Sequence, residues 1–370
     1  MRIGIDCSCV AKAERTGVAR YCVSLLHALA GELGEADRVV TLYRMSRLGK
    51  RRWFEAAPDE RFSRGYFQDG VPVMPPRRLD VAHGPDLRPP RIPGVPAVST
   101  VHDLSALDVP GIASPEFQER KRAALADAAQ RAAAILCISE FTRDAFLGRF
   151  PAAAARTRVV PLGLAPRFRP QAPEAVAEVL GRLGVRAPYL LFVGQIAARK
   201  NLGPLLDAFL ALRERPALGD LELVLAGPVQ TGGDEILARV AAAGVGRAVH
   251  VTGFVGDDVL PALYTGAAAF CFTSLAEGFG LPLLEAMACG CPVVAADAGA
   301  TAGTAGDAAL LVPPADPGAL RDALAAALDD SALRADLVRR GAAHAARFTW
   351  QETARRTLAA YRDAIAEVPA

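Results

Sequence analysis

No apolar run in this chain reaches the roughly 18–20 residues that a membrane-spanning helix needs. Excess charge of one sign is also scarce: 42 Lys+Arg against 40 Asp+Glu leave +2 over 370 residues. Nothing in that balance asks for a nucleic-acid partner. Histidine is rare, and neither Cys-x-Cys pair (Cys7/Cys9, Cys289/Cys291) has a flanking histidine to complete a zinc pattern, so no metal site is expected. A signal-peptide pattern is missing too, because Met1-Arg2 leads straight into the strand-like Ile3-Gly4-Ile5. The seven cysteines are an odd number and most sit in apolar segments. That suits reduced, buried thiols and a cytoplasmic protein.

What is present indicates a globular chain. Hydrophobic residues make up 52% and charged residues 22%, enough for sizeable cores, and 370 residues suggest two domains. The charge is unevenly placed: residues 1–165 carry 24 basic against 18 acidic side chains, net +6, and residues 166–370 carry 18 against 22, net −4. Five basic residues crowd between Arg44 and Arg52 in the loop-like RMSRLGKRRW. They are either a solvated surface or a peripheral contact with a membrane.

Read in order, strands and helices alternate. RIGID (2–6) is a strand, followed by a loop to Gly17 and a helix over about 18–33. Strands follow at 38–43, 80–83, 96–102 and 134–138, with helices over about 115–133 and from Ser139, a capping residue. The stretch between 44 and 96 is rich in Pro and Gly. After RVVPL (158–162) the Pro/Arg-rich LAPRFRPQAP reads as a linker. A second series opens with the strand 189–193, and strands at 221–226, 250–252, 267–272, 292–296 and 309–312 alternate with helices to the end. Such alternation means parallel, doubly wound sheets, whose ligands sit at the carboxyl edge of the strands.

Three clusters carry chemistry. Arg199-Lys200 lies in the turn after strand 189–193, where two adjacent cations suit a diphosphate or are simply solvated. Glu277 lies beside Gly278-Phe279-Gly280, and Glu285 follows in a helix read as starting at Pro282. These carboxylates could accept sugar hydroxyls, or Glu285 could merely match the helix dipole. His102-Asp103 ends a strand, as a structural pair or a functional one. Gly17 either brings backbone N–H groups to a ligand or makes a tight turn.

The combination is more specific than its parts. EGFGLPLLEAMACGCPVVA (277–295), preceded by FVGQIAARKNL (192–202), resembles the retaining glycosyltransferases of family 4. RTGVARY, VHDLSAL, ISEFTRDAF, VVPLGLAPRFRP, LVLAGP, VTGFVGDDVLPALYTGAAAF and RFTWQETARRTLAAY extend the resemblance over nearly the whole chain. It implies the GT-B fold: two doubly wound, α/β Rossmann-like domains facing across a cleft. Residues 1–168 would form the acceptor-side domain, 169–349 the nucleotide-sugar domain, and a helix over about 350–370 would pack back on the first.

The resemblance also implies roles. Arg199 and Lys200 would hold the donor diphosphate, Glu285 the ribose, and Glu277 the donor sugar, with Gly278, Phe279, Gly280 and Leu281 beside it. His102 would lie near the reacting carbon, and Gly17 and Gly194 near the donor phosphate. The implied enzyme is a metal-independent, retaining hexosyltransferase, resembling bacterial polysaccharide mannosyltransferases. It would use a GDP- or UDP-sugar as donor substrate, no cofactor, and a glycan or lipid-linked saccharide as acceptor, at the inner face of the cell membrane. Transfer to a small soluble acceptor, and a non-catalytic sugar-nucleotide-binding subunit, are the alternatives. The sequence departs from the family where Ala300 to Ala305 read ATAGTA in place of a Pro-Glu pair, and where Gln195 replaces an arginine of some relatives.

Overall fold

A computed structural model describes residues 1–12, 17–75 and 77–367. The chain divides into two compact units, Met1–Gly163 with Phe348–Ala370, and Leu164–Arg347. The first holds a seven-stranded sheet of β1 (Arg2–Asp6), β2 (Arg38–Arg44), β3 (Phe62–Phe67), β4 (Val81–Gly84), β5 (Ala97–Val101), β6 (Ala134–Cys137) and β7 (Thr157–Val159). The second holds a six-stranded sheet of β8 (Tyr189–Val193), β9 (Glu222–Ala226), β10 (Val249–Gly253), β11 (Ala269–Phe272), β12 (Val293–Ala296) and β13 (Leu310–Val312). The orders are β3-β2-β1-β4-β5-β6-β7 and β10-β9-β8-β11-β12-β13, and the described strand pairs are parallel. Both sheets therefore reverse direction at one point, between β1 and β4 and between β8 and β11. The carboxyl edge at such a reversal leaves a crevice where loops from two strands diverge, which is where doubly wound sheets bind ligands.

The strands are continuous apolar runs because helices cover both faces. Every residue of β5, β8 and β9 is buried. The second core packs Phe192, Leu205, Leu206 and Phe209 with Leu223 and Leu324. Truncating one of these side chains to alanine is expected to cost about 2–5 kcal/mol. The helix Trp350–Ala366 belongs to the first unit: it packs on the helix Gly17–Glu32, and Thr353 Oγ1 donates to Pro161 O at 2.8 Å.

Two stretches differ from the sequence reading. β3 lies within the Pro/Gly-rich region that shows only one short strand in its sequence pattern. It is an edge strand, paired with β2 and bearing Gly65 and Arg64 in its middle, so its apolar signal is weak. The segment Met45–Trp53 is a pair of 3-10 turns kinked at Lys50, rather than a loop. Several basic side chains of the Arg44–Arg52 stretch are engaged locally: Arg44, at the end of β2, pairs with Asp6 (3.3 Å) and Asp69 (2.8 Å), and Arg51 and Arg52 lie over Tyr66 and Trp53.

All seven cysteines are free thiols and six are buried. Burial pushes the Cys137 and Cys289 thiols up to about 12, far from a nucleophile's range. Among the described residues no helix is long and apolar enough to cross a membrane, and no three His, Cys, Asp or Glu side chains gather to hold a metal ion.

Candidate active site

In the second unit the site grows from the ends of β8 and β11, the two strands at the reversal. After β8 the chain passes Gly194 and makes one 3-10 turn, Ala198–Lys200. Asn201 then takes the left-handed conformation (φ 50°) and starts the helix Leu202–Arg213, while its Nδ2 donates to Pro314 O at 2.8 Å. Asparagine tolerates that conformation better than most residues. The loop after β11 holds the two cations by their backbone. Thr273 Oγ1 donates to Lys200 O at 2.8 Å, and Leu275 N donates to Arg199 O at 3.1 Å.

The side chains close on a carboxylate. Glu277 Oε1 accepts from Arg199 Nη1 at 2.8 Å and also from Lys200 Nζ. Lys200 is only 5% exposed, lies alongside Gly194, and sits 5.6 Å from the centre of the Phe272 ring. Two cations sharing one carboxylate leave a net positive charge in a half-buried setting, where charge is felt more strongly than in bulk water.

The loop Gly278-Phe279-Gly280 is buried and leads into the helix Leu281–Ala288. Gly280 starts that helix at φ 99°, a conformation that a side chain would strain. Here the structure corrects the sequence reading: the helix begins at Leu281, so Glu285 is its fifth residue and lies beyond the first turn. A dipole-matched helix start does not account for it, because that effect fades within the first turn. Its carboxylate instead accepts a hydrogen bond from Tyr264 OH at 2.9 Å. The ATAGTA stretch builds the short helix Thr301–Ala305 against this loop, with Ala300 N donating to Glu277 O at 3.0 Å.

In the first unit, His102 follows β5. Its Nε2 lies 2.8 Å from Pro85 O, and the ring meets Tyr21 edge-on with centroids 4.8 Å apart. A carbonyl can only accept, so Nε2 carries the proton. Burial pushes the imidazole pKa below its usual value, so the ring is neutral and Nδ1 is a hydrogen-bond acceptor. Asp103 does not orient it: Asp103 Oδ1 accepts from Ser105 N and Oγ, each at 2.8 Å, and pairs with Lys121 at 3.5 Å. His102 lines a cavity of about 480 Å3.

Behind it runs a fully buried polar chain. Tyr21 OH meets Thr100 Oγ1 at 3.3 Å, Thr100 Oγ1 meets His83 Nε2 at 2.7 Å, and His83 Nδ1 meets Tyr361 OH at 2.7 Å. Burial lowers the His83 pKa to about 3, so this chain too is neutral.

The structure thus gathers Gly194, Arg199, Lys200 and Glu277 in one cluster, with Gly278 to Leu281 and Glu285 on the adjoining loop and helix. His102 and Gly17 lie in the other unit. Gly17 is the exposed first residue of its helix, and among the described residues nothing lies within 4 Å of where a Cβ would stand. Arg15 and Thr16 of the RTGVARY motif fall outside the described residues. Tyr264 and Thr273, which hold Glu285 and Lys200, escaped the sequence reading. Only their places at an element end or a strand end could have marked them.

Two Rossmann-like parallel sheets of this kind, each with polar loops at its reversal, are the architecture of the GT-B fold. The Glycosyltransferase Family 4 profile matches residues 15–168, and the "Glycosyl transferases group 1" profile matches residues 187–330. An O-antigen chain mannosyltransferase B of Escherichia coli is 31% identical over 72% of this chain and 70% of its own length. The chain belongs to this glycosyltransferase family. A D-inositol 3-phosphate glycosyltransferase of Salinispora tropica is 35% identical over 74% of this chain, which spans only 60% of that relative's length. Among solved structures, Anabaena HepE in complex with UDP and glucose superposes with a TM-score of 0.72 at 18% identity, over 97% of this chain and 98% of that one.

Proposed function

We propose that the protein is a retaining hexosyltransferase. It moves a sugar, mannose in the first instance, from a GDP- or UDP-sugar to a glycan or lipid-linked acceptor in cell-surface polysaccharide synthesis. The observation that carries the reading is the Arg199–Glu277–Lys200 cluster at the reversal of the second sheet. An arriving diphosphate offers several anionic oxygens where Glu277 offers one. It takes over the two cations, and Glu277 is released toward the hydroxyls of the donor sugar. As the sugar leaves, negative charge grows on the diphosphate, and the fixed guanidinium and ammonium stabilise it where it develops. They supply the charge that a metal ion would, so the reading needs no metal. Glu285, anchored by Tyr264, takes the ribose hydroxyls. The backbone of Phe279-Gly280-Leu281 meets the sugar and phosphate, and Gly17 approaches the phosphate. Neutral His102 offers Nδ1 to a donor hydroxyl. The acceptor attacks the face that the nucleotide leaves, which keeps the anomeric configuration.

The Escherichia coli relative's name supports a mannosyl donor and a polysaccharide acceptor. The Salinispora relative's name supports a second reading, transfer to a small soluble acceptor. Action at the cytoplasmic face, with the Arg44–Arg52 stretch resting on the membrane, completes the first reading. Sedimentation with anionic vesicles is expected to fall when those basic residues are neutralised.

The decisive experiment is a thermal-shift screen of nucleoside diphosphates and nucleotide sugars. A ligand of the native state at a hundredfold excess over Kd adds about 2.7 kcal/mol of stability. GDP or UDP and one of their sugars are expected to raise the midpoint of the wild type and not of Lys200→Ala. If none of them shifts the wild type, the reading fails.

A further inference from the structure

The end of the first sheet away from His102 carries a cavity of its own. It measures about 420 Å3 and lies where the chain enters β4 and β5, with Asp80 and Pro96 in its lining. The two strands run from it to the carboxyl edge, about 15 Å away.

Its walls are preformed. On one side Ile92, Pro93, Gly94 and Val95 make a turn in which Val95 N donates to Ile92 O at 3.2 Å. Pro93 fixes the second position and Gly94 supplies φ 70° at the third, the combination that a type II turn requires. On the other side Val73 is held at the sheet edge, because its neighbour Met74 exchanges two backbone hydrogen bonds with Tyr66 of β3, each 2.8 Å. Gly70 N donates to Arg91 O at 2.7 Å and ties the two sides together.

The floor is apolar and the rim is cationic. Val73, Leu79 and Ile92 are buried in one core cluster with Leu42 and Phe67, and Ile365 of the last helix closes the side. Arg77 and Arg78 also line the cavity, both exposed, and among the described residues neither has a carboxylate partner. The one acid in the lining, Asp80, already accepts from Arg2 N at 2.7 Å. Small-molecule sites are hollows of about 300–1,000 Å3 with a mostly apolar lining and a few convergent polar groups. Guanidinium forks match the paired oxygens of a phosphate or carboxylate better than point charges do. Walls already held in place spare the ordering cost of binding.

We infer that this cavity is a second ligand site, for a small amphipathic anion. The apolar body lies on Val73, Leu79, Ile92 and Ile365, and a terminal phosphate or carboxylate is held by Arg77 and Arg78. The inference does not depend on the proposed transferase reading. Its ligand is neither the donor nor the acceptor of that reading, because the cavity stands at the opposite edge of the sheet from His102. Ile365 lies one helical turn beyond Tyr361, so the bound ligand packs on the helix that ends the buried polar chain behind His102.

Calorimetric titration of the full chain with octyl phosphate and with octanoate tests the site. The expected result is one molecule bound per chain, at least about tenfold more weakly in Arg77→Gln/Arg78→Gln, whose side chains are exposed and leave the core intact. Whichever of the two anions binds more tightly identifies the head group. Lys200→Ala is expected to bind it as the wild type does, which separates this site from the diphosphate clamp. Absence of binding, or equal binding by the arginine double variant, overturns the inference. Loss of binding in Lys200→Ala overturns it too, by assigning the ligand to the other unit. Equal affinity for octanol would remove the role of the arginines, and equal affinity for inorganic phosphate would remove the apolar body. Either result overturns the ligand class.

Discussion

Beneath the carboxyl edge of the Leu164–Arg347 sheet the polar side chains are charged and paired: Arg199 and Lys200 share the carboxylate of Glu277, and Glu285 takes the hydroxyl of Tyr264. Beneath the edge of the Met1–Gly163 sheet they are neutral and linked in series, from Tyr21 through Thr100 and His83 to Tyr361, while the cations stand outside at the crevice. An ionic cluster can exchange its carboxylate for a ligand's charge, so it suits a site whose partner is a diphosphate that must later leave with more charge. A neutral chain cannot make that exchange. It fixes the ring positions behind His102 without responding to the charge of what binds in front.

The most forceful way to break this contrast is to remove the buried cation. Lys200→Ala takes away the ammonium that is 5% exposed and leaves Glu277 to Arg199 alone. Loss of one such stabilising group is expected to lower kcat/KM for transfer by about 10²–10³-fold. Initial rates at varied donor concentration measure it. A change of less than about threefold would refute the clamp.

The neutral chain makes a prediction of the opposite kind, on stability rather than rate. His83 has its folded pKa lowered to about 3, and its unfolded value is about 6.5. Between those values the unfolded state binds a proton that the folded state refuses, so stability rises with pH and is lost as pH falls below about 6.5. From pH 7.5 to 4.5 the loss from this one group is about 2–3 kcal/mol. Urea midpoints at the two pH values are expected to lie closer together in His83→Gln, at the expense of some stability at neutral pH. An unchanged difference would mean that the histidine is not held neutral.

How much of this the sequence disclosed follows from which physical signal each part carries. Parallel strands buried on both faces announce themselves as apolar runs, so β5, β8 and β9 were legible, and so was the α/β class. β3 was not, because an edge strand needs little apolar surface and this one carries Gly65 and Arg64. The helix after Glu277 was legible, but its start was displaced by one residue, since Pro282 suits either of the first two positions and Gly280 is the true cap. That small shift changes the meaning of Glu285 from a dipole partner to a side chain held by Tyr264. The ion cluster itself was hidden. Arg199 and Glu277 are 78 positions apart, and no local rule says that both point at one place. The crevice in the first unit was less visible still, because its cations are drawn from loops after β1, β2 and β4 and from the helix Pro115–Arg131.

A finer probe is the anchor of Glu285. Tyr264 is fully buried and its hydroxyl donates to a carboxylate, a kind of hydrogen bond worth about 1.5–3 kcal/mol. Tyr264→Phe keeps the ring in the core, so thermal unfolding is expected to register a loss near the lower end of that range. If Glu285 takes the ribose, nucleoside diphosphate affinity falls with it, whereas inorganic pyrophosphate affinity stays as it was. A parallel fall in both would show that the variant disturbs the diphosphate clamp instead, and would remove the ribose assignment.

The smallest effect expected is also the one that bears most directly on the contrast between the units. Glu277→Gln deletes the negative charge and keeps the shape, so the second unit acquires what the first already has, cations without a carboxylate. If Glu277 competes with the incoming diphosphate for Arg199 and Lys200, its loss strengthens binding of the nucleoside diphosphate by about two- to fivefold, the range of a partly exposed ion pair. Transfer nevertheless slows, because the carboxylate released toward the sugar is gone. Tighter product binding together with slower transfer is a signature that a merely structural ion pair would not give: breaking one would weaken binding and lower stability together. Calorimetric titration of the variant with GDP and UDP separates the two. Weaker binding would mean that Glu277 holds the cations in position for the phosphate and does not yield them to it.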